Sequence, residues 1–161
     1  MSNIVSNFIE INNFISSNFD QTKKNKIPQV IAVSKTFPMT KIKPLIDCGH
    51  RHFGENKVQE AVEKWTDIKS KQSSINLHLI GRLQTNKVKL AINLFDYIHS
   101  LDSEKLAKKI STEEEKINKK TKIFIQVNIG NEEQKSGINV RDIFNFYTFC
   151  KRLNLNIIGL M

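Results

Sequence analysis

Short apolar runs alternate with amphipathic helical stretches along most of this chain, and this alternation restricts its fold more than any other feature. A strand followed by a helix repeats about six times after residue 28. Such repeats form parallel strands joined by right-handed crossovers, which leaves a doubly wound sheet or a (β/α) barrel. The strands are predicted at residues 30–36, 51–54, 75–80, 95–99, 123–129 and 157–161.

Helical stretches precede and separate these strands. In the first of them, Ile4, Phe8, Ile11 and Ile15 share one helix face, which predicts a lead helix that packs on the rest of the domain. We predict one domain over residues 1–161, with residues 1–24 forming the lead helix and residues 23–28 a polar linker. The later helices are predicted at 40–48 with Thr40 as its cap, 55–69, 85–93, 103–118 capped by Asp102 and Ser103, and 138–153.

Composition excludes several classes of protein. With 161 residues, 39% of them hydrophobic, the chain can bury a core. Its net charge of +9 comes from dispersed lysines, which favours a solvated basic surface over a nucleic-acid-binding face. Cys48 and Cys150 form no Cys-x-x-Cys or Cys/His pair, so no disulfide framework and no metal site are predicted. Without a signal sequence or a run that spans a bilayer, the chain is expected to be cytoplasmic.

The first predicted strand ends on a lysine. Alternation places Ile31, Val33 and Lys35 on one face. A lysine held against apolar walls loses hydration of its charged form, which lowers its pKa and frees the amine to attack an aldehyde. The alternative is a strand-end lysine whose ammonium group reaches water.

Polar groups follow several other strands. Glu55 and Asn56 come after Gly54, and Gly81 opens a second polar segment. The fifth strand carries Gln126 and Asn128 on one face, and buried amides need partners. At the carboxyl mouth of a barrel those partners are water, neighbouring groups or a polar ligand, and inside the core the two amides would pair with each other. His78 alternates with Leu77 and Leu79 and is predicted to be a buried, hydrogen-bonded side chain that faces the interior.

Five motifs carry a family resemblance. They are AVSKT at 32–36, FGENKVQE at 53–60, HLIGRLQTNK at 78–87, KSG at 135–137 and GLM at 159–161. In this order and spacing they resemble the pyridoxal phosphate homeostasis protein family, from about residue 28 to the last residue. The resemblance implies a fold like the barrel domain of alanine racemase, with pyridoxal 5'-phosphate (PLP) bound as an internal aldimine.

The resemblance also implies site residues. Lys35 matches the aldimine lysine, Asn56 the family asparagine near the cofactor, and Met161 the Leu-Met pair that ends the sixth strand. Gln84, Asn86 and Lys135 match family motifs without a defined role, and no catalytic residue is assigned.

Family members continue past Gly-Leu-Met with a helix, two more strands and the segment that holds the phosphate. About six of the eight strands of a barrel are present here, so we predict an incomplete (β/α) TIM-type barrel in a truncated member. Full-length members are implied to be monomers, whereas exposed edge strands favour self-association.

The family resemblance implies a PLP-binding protein of intracellular PLP homeostasis, with the cofactor on Lys35 and no committed turnover. A different reading is a PLP-dependent amino-acid racemase or decarboxylase of fold type III. That activity needs a second acid/base, and neither Tyr97 nor Tyr147 lies in a recognised catalytic motif. The sequence is also compatible with a truncated remnant that has no function, and with a basic nucleic-acid binder, which net charge alone supports.

Overall fold

A computed structural model of the protein describes residues 3–19, 27–130, 132 and 134–161. The helices are α1 (Asn3–Asn18), α2 (Met39–Asp47), α3 (Val58–Lys71), α4 (Val88–Leu94), α5 (Glu104–Ile117) and α6 (Ile143–Arg152). The strands are β1 (Ala32–Val33), β2 (His52–Glu55), β3 (Asn76–Leu79), β4 (Tyr97–Leu101), β5 (Lys122–Ile125), β6 (Val127–Asn128), β7 (Ile138–Asn139) and β8 (Asn156–Leu160). Short 3-10 turns at Thr85–Lys87 and Val140–Asp142 lead into α4 and α6.

Six of the strands form one parallel sheet in the order β1-β2-β3-β4-β5-β8. A separate parallel pair, β6 with β7, lies beyond the end of β5. Within the described residues, β1 and β8 each bond one neighbouring strand of the large sheet, so the sheet is open there. This is the α/β arrangement of parallel strands and crossover helices that the alternating pattern predicts.

The two faces of the sheet have different chemistry. One face is apolar: Phe53, Leu77 and Ile98 are fully buried in the core that Trp65 of α3 completes. The opposite face, which we call the histidine face, carries His52, His78, His99, Tyr97 and Phe124 on β2 to β5. Alternation along each strand separates the two sets of side chains, so helices cover the apolar face.

Two predicted strands are shorter than expected. The strand over 30–36 is confirmed only at Ala32–Val33, because Thr36 takes a positive φ of 65° and the amide of Phe37 bonds the carbonyl of Ser34 in a turn. The strand over 123–129 is broken after Ile125. Beyond the break, β6 leaves the large sheet and pairs with β7.

Some predicted helices differ as well. The helix over 138–153 begins at Ile143, since Ile138–Asn139 form β7. Pro38 rather than Thr40 is the N-cap of α2, because the proline ring fixes the extended entry that a cap requires. In contrast, Ser103 caps α5 as predicted, accepting a hydrogen bond from the amide of Leu106.

The lead helix is present as α1, but its predicted apolar stripe packs only in part. Ile4 and Phe8 lie against the core, and the Phe8 ring is 4.6 Å from the ring of His50, whereas Ile11 is 50% exposed. Residues 20–26 lie outside the described residues. The predicted end of the lead helix at residue 24 and the first four residues of the predicted linker at 23–28 fall in this range. Among the helices that the structure describes, none has the length and apolarity required to cross a membrane.

Candidate functional site

The carboxyl ends of the parallel strands form one edge of the sheet, and the predicted site residues follow three of those ends. Lys35 comes two residues after β1, Asn56 directly after β2 and Met161 directly after β8. Val33 is in register with Gly54, so Lys35 and Asn56 follow the ends of two neighbouring parallel strands. The fold therefore gathers these groups at the edge where ligands of parallel α/β proteins bind.

Lys35 lies on the side of β1 that faces away from the helices. Ser34 points the other way and is buried, whereas Val33 and Lys35 are exposed. Of the two settings predicted for this lysine, the described residues show the strand-end one with an exposed side chain, because β1 is an edge strand and the chain turns at Thr36. The amine is therefore accessible to a molecule from solution.

A buried carboxylate fixes the residue before Lys35. Oε1 of Glu55 accepts hydrogen bonds from the Ser34 hydroxyl at 2.7 Å, from Nζ of Lys64 at 2.9 Å and from Nε1 of Trp65 at 2.9 Å. Lys64 also donates to the carbonyl oxygen of Ser34 at 2.9 Å. Ser34 is thus bound through its hydroxyl and its carbonyl at once, and helix α3 supplies two of the donors.

Asn56 offers a buried polar atom to the same edge. Its Oδ1 has no hydrogen-bond partner among the described residues, and such an atom costs roughly 1–3 kcal/mol when it stays unpaired. Gly81 packs closely beside it: a Cβ at position 81 would lie 2.2 Å from the carbonyl oxygen of Asn56. Only glycine lets the two strand ends approach this closely.

Met161 is 44% exposed where β8 ends. Its main chain is bonded to the neighbouring segment through both of its polar groups: its amide donates to the carbonyl of Ile125, and its carbonyl accepts from the amide of Val127. Gly159 of the same motif leaves room for the Phe124 ring, which a Cβ would approach to 2.9 Å. The strand end is therefore fixed while the thioether remains accessible.

The two amides predicted on the fifth strand are bound by the loop that follows them. Gln126 donates to the carbonyl of Ser136 at 3.1 Å, and Asn128 donates to the carbonyl of Glu132 at 2.9 Å. Lys135 is exposed and pairs with Glu132 at 2.5 Å. Neighbouring main-chain carbonyls thus satisfy these amides, which is one of the alternatives predicted for the carboxyl mouth, and the two amides are not paired with each other. Gln84 and Asn86 are exposed beside the turn that enters α4.

Three histidines form a hydrogen-bonded row across the histidine face. Nδ1 of His52 lies 3.0 Å from Nε2 of His78, and Nδ1 of His78 lies 3.0 Å from Nε2 of His99. The Tyr97 ring stacks on His78 at 4.0 Å. His78 is buried and hydrogen-bonded, as predicted. Burial, reinforced by the neighbouring His99 and His52, lowers the pKa of His78 to about 3, and burial also lowers the pKa of His99.

The row and the buried carboxylate both escape motif-based prediction. A sequence signal for the row exists. On each of β2, β3 and β4 a histidine lies directly next to a buried apolar residue, so alternation places the histidine on the opposite face. A signal for Glu55 exists too, since it shares the strand parity of buried Phe53 and therefore points toward the helices. No group of three or more histidine, cysteine or acidic side chains in the described ranges is arranged to hold a metal ion.

The sequence and the fold of this chain match known proteins. Residues 13–161 match the family described as the alanine racemase N-terminal domain. The pyridoxal phosphate homeostasis protein of Vibrio cholerae is 39% identical over 136 residues, 83% of this chain and 58% of that protein. The protein of the same name from Vibrio alginolyticus is 35% identical over 167 residues, 100% of this chain and 71% of that protein.

The chain belongs to the pyridoxal phosphate homeostasis protein family. The structure of PipY from Synechococcus elongatus, solved with PLP bound, superposes with a TM-score of 0.76 at 29% identity and covers 94% of this chain and 69% of that one. The predicted alanine racemase-like barrel, incomplete in this chain, is confirmed by these matches and by the open parallel sheet. The chain spans 58% of the Vibrio cholerae family member.

Proposed function

We propose that this chain binds PLP in the cytoplasm and holds it as a Schiff base on Lys35, with a role in intracellular PLP homeostasis and without committed turnover. Asn56 and Met161 would contact the cofactor. The observation that carries the proposal is that an exposed primary amine, Lys35, and the unpartnered Oδ1 of Asn56 follow the ends of two neighbouring parallel strands, β1 and β2, and that the described residues offer that oxygen no donor.

The residues at this edge fit a small polar aldehyde. If bound, PLP would supply an aldehyde carbon to the nitrogen of Lys35, with the aldehyde oxygen and the two hydrogens of the neutral amine released as one water molecule. The chain supplies an accessible amine, an amide oxygen whose burial a ligand donor would offset, and the thioether of Met161 as an apolar surface. Glu55 accepts from the hydroxyl of Ser34 and Lys64 donates to its carbonyl, so the residue immediately before the amine is held.

The positions of the tyrosines support a carrier over a racemase or decarboxylase. Tyr97 is the first residue of β4, at the edge opposite Lys35, and its hydroxyl accepts a hydrogen bond from Nζ of Lys122 at 2.9 Å. Tyr147 lies on the exposed outer part of α6. Neither phenol lies at the edge that presents the amine, so neither supports an acid/base role there.

Absorption spectroscopy with borohydride reduction tests the proposal. Purified protein is mixed with PLP, its spectrum is recorded, the mixture is reduced, and the labelled peptide is identified by mass spectrometry. We expect an absorption band that disappears on reduction and a label on Lys35. The Lys35→Ala variant should lose both, whereas Lys43→Ala, which removes an exposed lysine paired with Asp47 on α2, should keep both. Equal labelling in Lys35→Ala and wild type would rule out the assignment.

A further inference from the structure

We propose that Glu55 and Lys64 are positioning residues for Lys35. This buried ion pair, which we call the Ser34 clamp, holds the hydroxyl and the carbonyl of Ser34 and so sets the direction in which the Lys35 side chain leaves β1. The inference rests on the proposed function, because it concerns how the same lysine is presented to the aldehyde of PLP.

The contacts of the Ser34 clamp converge on a single residue. Glu55 is fully buried and the Lys64 side chain is 15% exposed. Glu55 binds the Ser34 hydroxyl at 2.7 Å, Lys64 binds the Ser34 carbonyl at 2.9 Å, and the two are bonded to each other at 2.9 Å. The Ser34 amide adds a bond to the carbonyl of Gly54 at 2.9 Å. The amide, the hydroxyl and the carbonyl of Ser34 are therefore all hydrogen-bonded to residues of β2 or α3.

Fold stability alone is a weak reason for this arrangement. A buried ion pair recovers little more than the cost of its own desolvation, and apolar residues of similar volume serve a core equally well. Oε2 of Glu55 is buried and has no hydrogen-bond partner in the described part of the chain. The surrounding core, which includes Phe53 and Trp65, is apolar. Placing charges here stabilises one conformation of Ser34 rather than the core as a whole.

The turn after Ser34 explains why such a restraint is needed. Thr36 has a φ of 65°, a left-handed backbone conformation that is unfavourable for a β-branched residue. The carbonyl that Lys64 binds also accepts the Phe37 amide that closes the turn, at 3.2 Å. The Ser34 clamp therefore holds one end of a strained turn that has Lys35 at its centre.

Positioning matters because this lysine competes with many others. The chain has 21 lysines, and free aldehyde condenses with any accessible lysine amine. A lysine whose main chain is held in one conformation samples fewer orientations than a lysine on a mobile segment, so less orientational entropy is lost when its amine reacts. The Ser34 clamp should thus give Lys35 its preference over the exposed lysines.

The test compares wild type with the double variant Glu55→Gln/Lys64→Met, the single variants Glu55→Gln and Ser34→Ala, and the control Glu60→Gln. Glu60 lies on the same helix in a surface pair with Lys57. Each protein is treated with PLP and borohydride, the label on every lysine is quantified by peptide mapping, and the exchange of the Phe37 amide with deuterium is measured without PLP. Thermal unfolding reports overall stability.

Three results together would support the Ser34 clamp. Glu55→Gln should lower the thermal midpoint, because Lys64 is left without its charged partner, and the double variant should recover most of that loss. In the double variant the labelling of Lys35 should still fall by about tenfold relative to the other lysines. Its Phe37 amide should exchange faster than in wild type, whereas Glu60→Gln should match wild type in all three measurements.

Other results would overturn the inference. If the double variant labels Lys35 with wild-type preference, Glu55 and Lys64 serve the core alone. If the double variant does not fold, Ser34→Ala decides, because it removes one contact and leaves the ion pair intact; unchanged labelling there would contradict the positioning role. Wild-type protein without label on Lys35 would instead overturn the proposed function and this inference with it, so the two failures are distinguishable.

Discussion

Acid should destabilise this protein through His78, by an amount that the structure allows us to calculate. His78 has a pKa of about 3 in the folded protein, against 6.5 for an unperturbed histidine. Burial is the largest cause, followed by the nearby His99, His52, Lys122 and His50. The unfolded chain therefore binds a proton below pH 6.5 that the folded protein does not bind until about pH 3.

The sign and the size follow from this difference. Because the folded-state pKa is depressed, the stabilisation is fully present above pH 6.5 and is lost as the pH falls from 6.5 toward 3. One pKa unit corresponds to about 1.4 kcal/mol, so lowering the pH from 7 to 5 should remove about 2 kcal/mol of unfolding free energy through this histidine alone. His78 is 3% exposed, so solvent screening reduces the effect little.

Urea unfolding at pH 7 and pH 5, followed by the fluorescence of Trp65, measures the loss. Trp65 is the single tryptophan and is fully buried. His78→Gln removes the titrating group and should show about 2 kcal/mol less acid destabilisation than wild type. Leu77→Val, a destabilising change on the apolar face of the same strand, should keep the wild-type pH dependence. Equal pH dependence in His78→Gln and wild type would refute the reasoning.

Three further changes give separate predictions. Gly81→Ala brings a Cβ to 2.2 Å from the carbonyl oxygen of Asn56 and should lower the unfolding free energy by about 3 kcal/mol. The control Gly49→Ala, at a φ of 96° with no atom within 4 Å of its Cβ, should lower it by about 1 kcal/mol. Urea unfolding measures both changes. Ser103→Ala removes the cap of α5 and should lower the unfolding free energy by about 1 kcal/mol, seen as a reduced thermal midpoint. Asn56→Ala should weaken PLP retention by about tenfold in equilibrium dialysis while the thermal midpoint stays close to wild type, because the lost Oδ1 has no partner in the described protein.

Much of the fold follows from hydrophobic periodicity. The order of strands and helices, the parallel sheet and the cap at Ser103 all result from local patterns of a few residues. The breaks in β1 and β5 do not, because they depend on a positive φ at Thr36 and on the pairing of β6 with β7 across the intervening loop. Periodicity also marks Ile11 as a core residue, although it is half exposed.

The candidate site is less predictable than the fold. Motifs identify Lys35, Asn56 and Met161, and parallel strands explain why these residues lie at one edge. The contacts of Glu55 join residues 21, 9 and 10 positions away, and the histidine row joins strands 26 and 21 positions apart. Contacts of this kind depend on register and on which face a side chain occupies, and no local pattern specifies both.

The histidine row has a direction. A neutral imidazole carries one N–H, so two hydrogen bonds in series require all three rings to donate the same way. In one arrangement the terminal proton sits on Nδ1 of His99, and in the reverse arrangement it sits on Nε2 of His52. Both arrangements contain the same number of hydrogen bonds. To interconvert them, one proton crosses each of the two hydrogen bonds, water takes the Nδ1 proton of His99 and water gives a proton to Nε2 of His52, while every ring stays in place. We expect this exchange to average the ¹⁵N chemical shifts of the two nitrogens of His78.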